Sequence, residues 1–397
     1  MSLYVQKFGG TSVGTLDRIQ SVAKHIAASY RQGHKLVVVV SAMGQQTDEL
    51  LEMALHISSH PPQREVDMLL TAGERISMSL LAIALNEHEV PTLSLTGSQS
   101  GILTDNTFGN ARIRRILGDR IREALQLGKL VIVAGFQGMS EQEKEITTLG
   151  RGGSDLTAIA LAHSLKADRC QIFKDVDGVC TADPRLVAKA RVLTEMSWDT
   201  LSALTSFGSG IVHHRGVHLA KKYQIPLEIR SSFNFSTAGT LIGSHRKVEK
   251  AQVYALTHRQ NLSWICIHAC DFSGLAPVLN HLWTLGEHPL FIQQHGRASD
   301  QGLQLVLGSK ALAGLESFCK KKWTQTRVEI FENNLACVSL IGDGFWLEPQ
   351  LLESAHQTLA LEPLLIDCKN NVINFLLKES DLEKSIQNLH QAFLEKP

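Results

Sequence analysis

The sequence predicts an α/β protein: a mostly parallel sheet between helices over residues 1–245, then two small α+β modules. Three observations carry this expectation. Short β-like runs alternate with longer helical patterns through the first 245 residues, which suits a parallel sheet covered on both faces. Glycine-rich polar clusters follow several of those runs, and open α/β sheets bind ligands beyond the carboxyl ends of their strands. Past residues 234–250, which include Ser-Thr-Ala-Gly-Thr and Gly-Ser-His-Arg-Lys, the pattern becomes strand, helix, strand, strand, helix.

The first apolar run, Leu3 to Val5, leads into Lys-Phe-Gly-Gly-Thr-Ser-Val-Gly at Lys7–Gly14. Glycines let the backbone approach an anion closely, and the N–H groups of a following helix favour it. Lys7 adds a full positive charge; the spacing is not that of a Walker A loop. A helical pattern covers Asp17–Gln32, a buried strand Leu36–Val40 ends at Ser41, and helical spacing returns over Glu65–Glu87 and Ala111–Gly128. The strand Leu130–Ala134 ends at Gly135. A second glycine loop, TLGRGGSD at Thr148–Asp155, places Arg151 between glycines, where a guanidinium can grip a carboxylate or phosphate. Ser154 and Asp155 open the helix Asp155–Lys166 and are candidates to cap it. A short strand, Gln171–Phe173, runs into KDVDGVCTADPR (Lys174–Arg185), an acidic loop suited to ribose or to magnesium-bound water.

A domain boundary is expected near residue 246. The tail divides into 250–328 and 329–397. The second part reads as strand Leu335–Ile341, helix Leu351–Leu361, strands Leu364–Asp367 and Val372–Leu377, and helix Asp381–Leu394. The first part carries a weaker version from Ser263 to Leu307.

Lys plus Arg equals Asp plus Glu at 39 each, so bulk charge does not favour nucleic acid or an anionic membrane. Seven scattered cysteines lack disulfide density, which points to a reducing, cytoplasmic setting. Cys266, His268 and Cys270 lack a second ligand pair at zinc spacing, so no metal site is expected there. The start lacks the apolar core of a signal peptide, and no apolar run reaches the ~18 residues of a span.

Taken together, KFGGTSVG, VVVVSAMGQQTDEL (Val37–Leu50), LLTAGERISM (Leu69–Met78), LTGSQSGILTD (Leu95–Asp105), VAGFQGM (Val133–Met139), TLGRGGSDLTA, DVDGVCTADPR and FGSGIVHHR (Phe207–Arg215) resemble the aspartate kinases of the amino-acid kinase superfamily. The tail resembles their two regulatory ACT domains, of ferredoxin-like α+β type, most clearly in ACVSLIGDG (Ala336–Gly344) and SIQNLHQAFLEK. This resemblance implies ATP-dependent phosphorylation of the side-chain carboxylate of L-aspartate with Mg²⁺, the first step toward lysine, threonine and methionine. It implies catalytic roles for Lys7 and Asp155, and aspartate contacts from Ser41, Thr47, Glu74, Arg151 and Ser154. The nucleotide would meet Lys7, Gly9, Gly10, Ser12, Lys174, Asp175, Cys180, Arg185 and Gly210. A monofunctional homodimer is implied, with lysine or threonine as effector and Asp271, Phe272 and Ser273 near an effector loop.

Two departures from the family pattern stand out. Gly210 occupies a lysine's place, with His214 in place of a proline, and Cys180 stands where an aromatic residue is usual. His213, His214 or Arg215 are candidate substitutes for the missing cation. An aspartokinase of a specialised pathway without feedback control, or a non-catalytic amino-acid sensor of the same fold, are the alternatives.

Overall fold

The computed structural model describes residues 2–243, 251–270, 272–295, 302–323 and 326–395. Two compact units result: Met1–Val179 with Val192–Thr205 and Gly210–Arg246, and Cys180–Arg191 with Ser206–Ser209 and Lys247–Pro397.

The first unit runs β1 (Leu3–Phe8), α1 (Leu16–Arg31), β2 (Lys35–Val40), α2 (Gln46–Ile57), α3 (Gln63–Glu87), β3 (Thr92–Leu95), β4 (Ile102–Thr104), β5 (Ile113–Ile116), α4 (Asp119–Gln126), β6 (Leu130–Ala134), β7 (Gln137–Ser140) and β8 (Ile146–Thr148). It continues with α5 (Gly153–Leu165), β9 (Arg169–Lys174), β10 (Glu195–Ser197), α6 (Trp198–Ser206), α7 (His214–Tyr223), β11 (Leu227–Ser231) and β12 (Thr240–Gly243). The main sheet has the order β10–β12–β11–β9–β1–β2–β6–β3, parallel except between β11 and β12. The central strands are apolar runs such as Leu36–Val40, all fully buried, as covered parallel strands require.

Helix α1 forms because Ile19, Val22, Ala23, Ile26 and Ala27 share one face. Thr15 caps it by accepting a hydrogen bond from the Arg18 N–H. Each fully buried Val or Ile there contributes roughly 1.5–3 kcal/mol. Helix α3 has the length and apolar composition of a membrane span, but it is a core helix, with Met78, Leu81 and Leu85 packed into the main cluster. A small sheet, β5–β4–β7–β8, is tied to α3 through Asp67. That fully buried carboxylate accepts from the Gly109 and Thr148 N–H groups and from the Thr148 hydroxyl, at 2.8–3.0 Å.

The helix expected over Ala111–Gly128 is instead β5 followed by α4. Ile113–Ile116 pairs with β4, and Gly118, at φ +69°, makes a left-handed break that a continuous helix cannot contain.

The second unit contains β13 (Gln252–His268), α8 (Leu275–Thr284), β14 (Phe291–His295), β15 (Gly302–Gly308), α9 (Leu312–Lys322), β16 (Arg327–Asp343), α10 (Pro349–Leu359), β17 (Leu365–Lys369), β18 (Val372–Lys378) and α11 (Leu382–Phe393). Its antiparallel sheet has the order β14–β15–β13–β16–β18–β17, two ACT-type α+β halves sharing the long strands β13 and β16. Those strands shift register near Asn261 and Asn334, both left-handed, a conformation asparagine tolerates. The halves interlace rather than follow one another. Leu256, from the start of β13, packs with Val338, Phe375 and Leu389 of the later half. Cys180–Arg191 joins this unit as well: Thr181 Oγ1 lies 3.0 Å from the buried His390 Nε2, and Ala182 and Val187 enter the same cluster. Asp271 and the Phe272 side chain lie outside the described residues.

Candidate active site

Strand order in the main sheet reverses between β1 and β9. The chain winds from β1 toward β2, β3 and β6 on one side and reaches β9 and β11 on the other. The carboxyl ends at such a reversal form a crevice. Lys7 lies near the end of β1 and Lys174 ends β9. Asp155, in the first turn of α5, reaches both: 2.7 Å from Lys7 Nζ and 3.3 Å from Lys174 Nζ.

Lys7 and Asp155 are both buried, so the pair is strongly felt. Burial pushes the Asp155 carboxyl up, but Lys174 and Lys7 outweigh it and hold it well below the usual carboxylate range. Burial lowers the Lys7 ammonium from its usual value, and Asp155 opposes that shift. The result is one ionised carboxylate bracketing two cations at a helix N-terminus.

The glycine turn follows directly. Ser12 and Val13 donate backbone hydrogen bonds to the Gly9 carbonyl, forming a single tight turn. A Cβ on Gly10 would stand 3.0 Å from the Gly44 carbonyl oxygen, and one on Gly9 3.4 Å from Lys7 Nζ. Side chains would therefore fill the cradle. The Ser12 hydroxyl is fully buried and donates to Ser232 Oγ at 2.8 Å; Ser232 in turn donates to the Lys174 carbonyl at 2.9 Å. Ser12 thus ties the turn to β9 and β11.

Glu74 projects from α3, 2% exposed. Its Oε1 accepts from the Ala42 N–H at 3.1 Å, while its buried Oε2 has no partner among the described residues. Burial lifts its pKa to about 7, against the pull of the Ala42 N–H and of Lys7. Ser41 follows β2; its carbonyl accepts from the Ser77 hydroxyl at 2.7 Å. Thr47 lies in the first turn of α2.

Arg151 sits exposed between Gly150 and Gly152, both left-handed. A Cβ on Gly152 would lie 2.2 Å from the His213 Cβ, so His213 packs directly on this turn. The cap expected from Ser154 or Asp155 is not formed. Gly152 is the N-cap, without a side-chain hydrogen bond, and Asp155 goes to the lysines instead. Ser154 packs against the end of β6, where a Cβ on Gly135 would stand 2.8 Å from the Ser154 Cβ.

Asp175 is exposed in the bend after β9, and Gly210 is exposed with open space where a Cβ would lie. Cys180 and Arg185 belong to the second unit, where Arg185 pairs with Asp183 at 2.6 Å. Arg215 is committed to the Asn110 side chain and to the Leu149 and Ala111 carbonyls, so it is a structural clamp rather than a replacement cation. Ser77, Ser232 and Asp67 support the site and escaped the sequence reading; the Ser231-Ser232 pair at a strand end was the one available signal.

The profile of the amino acid kinase family matches residues 2–231. The aspartokinase of Bacillus sp. (strain MGA3) is 41% identical, covering 99% of this chain and 97% of that protein. Aspartokinase 2 of Bacillus subtilis (strain 168) is also 41% identical, covering 99% and 98%. Among solved structures, E. coli aspartokinase III with aspartate and ADP (R-state) aligns at TM-score 0.80 and 25% identity, over 99% of this chain and 100% of that one. The same enzyme with lysine and aspartate (T-state) aligns at TM-score 0.75. A glycine turn, a lysine–aspartate–lysine cluster with Lys7 and Asp155 buried, and full-length likeness agree: the chain belongs to the aspartokinases of the amino acid kinase family.

Proposed function

We propose that this protein transfers the γ-phosphoryl group of ATP to the side-chain carboxylate of L-aspartate, giving 4-phospho-L-aspartate. The carrying observation is the Lys7–Asp155–Lys174 cluster at the strand ends, beside a buried Glu74 oxygen with no partner among the described residues. A carboxylate oxygen of aspartate forms the new P–O bond, the bond to the β,γ-bridging oxygen breaks, and ADP departs with its electron pair. The nucleophile is already ionised at neutral pH, so no general base is required. Positioning and charge neutralisation are what such a transfer needs.

In this reading Lys7 and Lys174 neutralise phosphate oxygens, and Asp155 fixes both cations. Gly9 and Gly10 let phosphates approach the backbone, with Ser12 holding the turn. Glu74 takes the α-ammonium, Arg151 the α-carboxylate, and Ser41, Thr47 and Ser154 line the aspartate pocket. Asp175 and Gly210 face the nucleotide. Mg²⁺ enters with ATP and screens its phosphates.

Most of residues 1–245 would carry catalysis, and the two interlaced halves within 250–397 regulation by an amino-acid effector such as lysine, the ligand of the T-state E. coli enzyme. A cytoplasmic homodimer serving lysine, threonine and methionine synthesis completes the proposal. A sensor or a specialised-branch kinase is not favoured, since the full-length relatives are aspartokinases. The test is aspartyl-hydroxamate formation by purified protein with Mg-ATP, with and without lysine and threonine. Product supports the reading; none with aspartate across a wide ATP range overturns it.

A further inference from the structure

A parallel sheet covered on both faces normally carries apolar side chains on both. One face of β11–β9–β1 departs from this. Strand register aligns Gln6, Gln171 and Glu228 in one lateral row, flanked by Tyr4 with Arg169 and by Phe8 with Phe173 and Arg230. Alternation sends Val5, Lys7, Cys170, Ile172, Leu227 and Ile229 to the other face, the catalytic one. Above the polar row, beside α1, lies a cavity of about 390 Å³, large enough for a small ligand.

The row is hydrogen-bonded across the strands. Gln6 Nε2 donates to Gln171 Oε1 at 2.9 Å, and Gln171 Nε2 donates to Glu228 Oε2 at 2.7 Å. Arg169 and Arg230 bracket Glu228 at 3.5 and 4.0 Å. This wiring leaves one group of each kind over. Among the described residues Gln6, 2% exposed, keeps a buried Oε1 with no partner, and Arg230, whose Nη2 donates to the Phe235 and Thr237 carbonyls at 3.2 Å, keeps a buried Nε with none. Native interiors rarely leave such atoms unpaired. The wall is aromatic: His25 stacks on Phe235 at 3.9 Å. Burial, with Arg230 beside it, holds His25 down to about 4, so the ring is neutral.

We infer that this cleft is a second small-molecule site, which takes a zwitterion of free-amino-acid size. Its ammonium meets Gln6 Oε1 and Glu228; its carboxylate meets Arg230 and Arg169. A simple anion would leave Gln6 Oε1 unpaired and oppose Glu228. A simple cation would leave Arg230 Nε unpaired and meet two guanidinium groups. Because Gln6 and Lys7 point to opposite faces, the site is separate from the proposed catalytic pocket.

The experiment is ligand-observed saturation-transfer NMR on the full chain, with each proteinogenic amino acid and with inorganic phosphate. Glu74→Gln serves as the background that disables the aspartate pocket. The expected result is at least one amino-acid signal that persists in Glu74→Gln and weakens about tenfold or more when Gln6→Leu or Arg169→Met is added. Arg169 is partly exposed, so Arg169→Met remains informative if Gln6→Leu fails to fold. Amino-acid signals unchanged by both cleft substitutions, or a cleft-dependent signal from phosphate alone, would overturn the inference.

Discussion

Glu74→Gln probes the least ordinary group in the proposed catalytic pocket. Burial raises the Glu74 pKa from 4.5 to about 7. At 1.36 kcal/mol per unit this corresponds to about 3 kcal/mol as an upper figure. The sign follows from proton binding. The folded state keeps its proton to higher pH than the unfolded chain, so stability falls as pH rises from about 4.5 to about 7 and then levels. Glutamine keeps an acceptor for the Ala42 N–H but does not titrate. The midpoint advantage of the variant should therefore grow between pH 5 and pH 8, by up to about 6–12 °C for a unit of this size. Thermal unfolding of both proteins by circular dichroism at matched pH measures it. Aspartate binding should respond in the opposite sense, because only ionised Glu74 attracts an ammonium. The wild-type KM for aspartate should rise as pH falls below about 7, approaching tenfold per unit. The variant should show a high, pH-flat KM. A midpoint difference that is constant with pH would refute the raised pKa, and an unchanged KM would refute the ammonium contact.

Other substitutions divide the site from its scaffold. Lys7→Ala should lower kcat by about a thousandfold or more with circular dichroism retained, since Lys174 still pairs with Asp155; near-normal turnover would remove Lys7 from the chemistry. The Asp155 pair should stabilise the fold fully above the ordinary carboxylate pKa of about 4 and lose that contribution as pH falls below it, visible as acid unfolding that begins earlier in Lys174→Met. Asp67→Ala strands the Gly109 and Thr148 N–H groups and should cost about 2–4 kcal/mol, read as a lower unfolding midpoint with little change in KM at the residual activity. Gly210→Lys meets open space and should leave stability unchanged while lowering the KM for ATP; no change in KM would mean that the position does not face the phosphates.

The sheet and its ligand edge were legible because they rest on local signals. Leu36–Val40 and Leu130–Ala134 are unbroken apolar runs ending in Ser41 and Gly135, and both proved to be central strands. The glycine turn after Phe8 was equally plain. What escaped was non-local. The span 111–128 has helical spacing, yet pairing with β4 and the left-handed Gly118 decide its first half. Cys180–Arg191 reads as a continuation of the β9 loop, but Ala182 and Val187 bury against Phe375 and Leu389, which lie far along the chain. Asp67 looks like a solvated helix charge until Gly109 and Thr148 are brought to it.

Strand β1 makes the same point within six residues. Its sequence, LYVQKF, mixes Gln and Lys into an apolar run, and periodicity alone gives neither a purpose. Register separates them. Lys7 falls with Val5, Cys170 and Ile172, so its ammonium and Asp155 meet among apolar side chains, where charge–charge attraction is strongest. Gln6 falls with Gln171 and Glu228, so that face holds a hydrogen-bonded row beneath a cavity. A one-residue slip of β1 would exchange the two faces. It would put Lys7 into the polar row and leave Asp155 with Lys174 alone, so the apolar packing of Val5 and Phe8 fixes the register on which both sites depend.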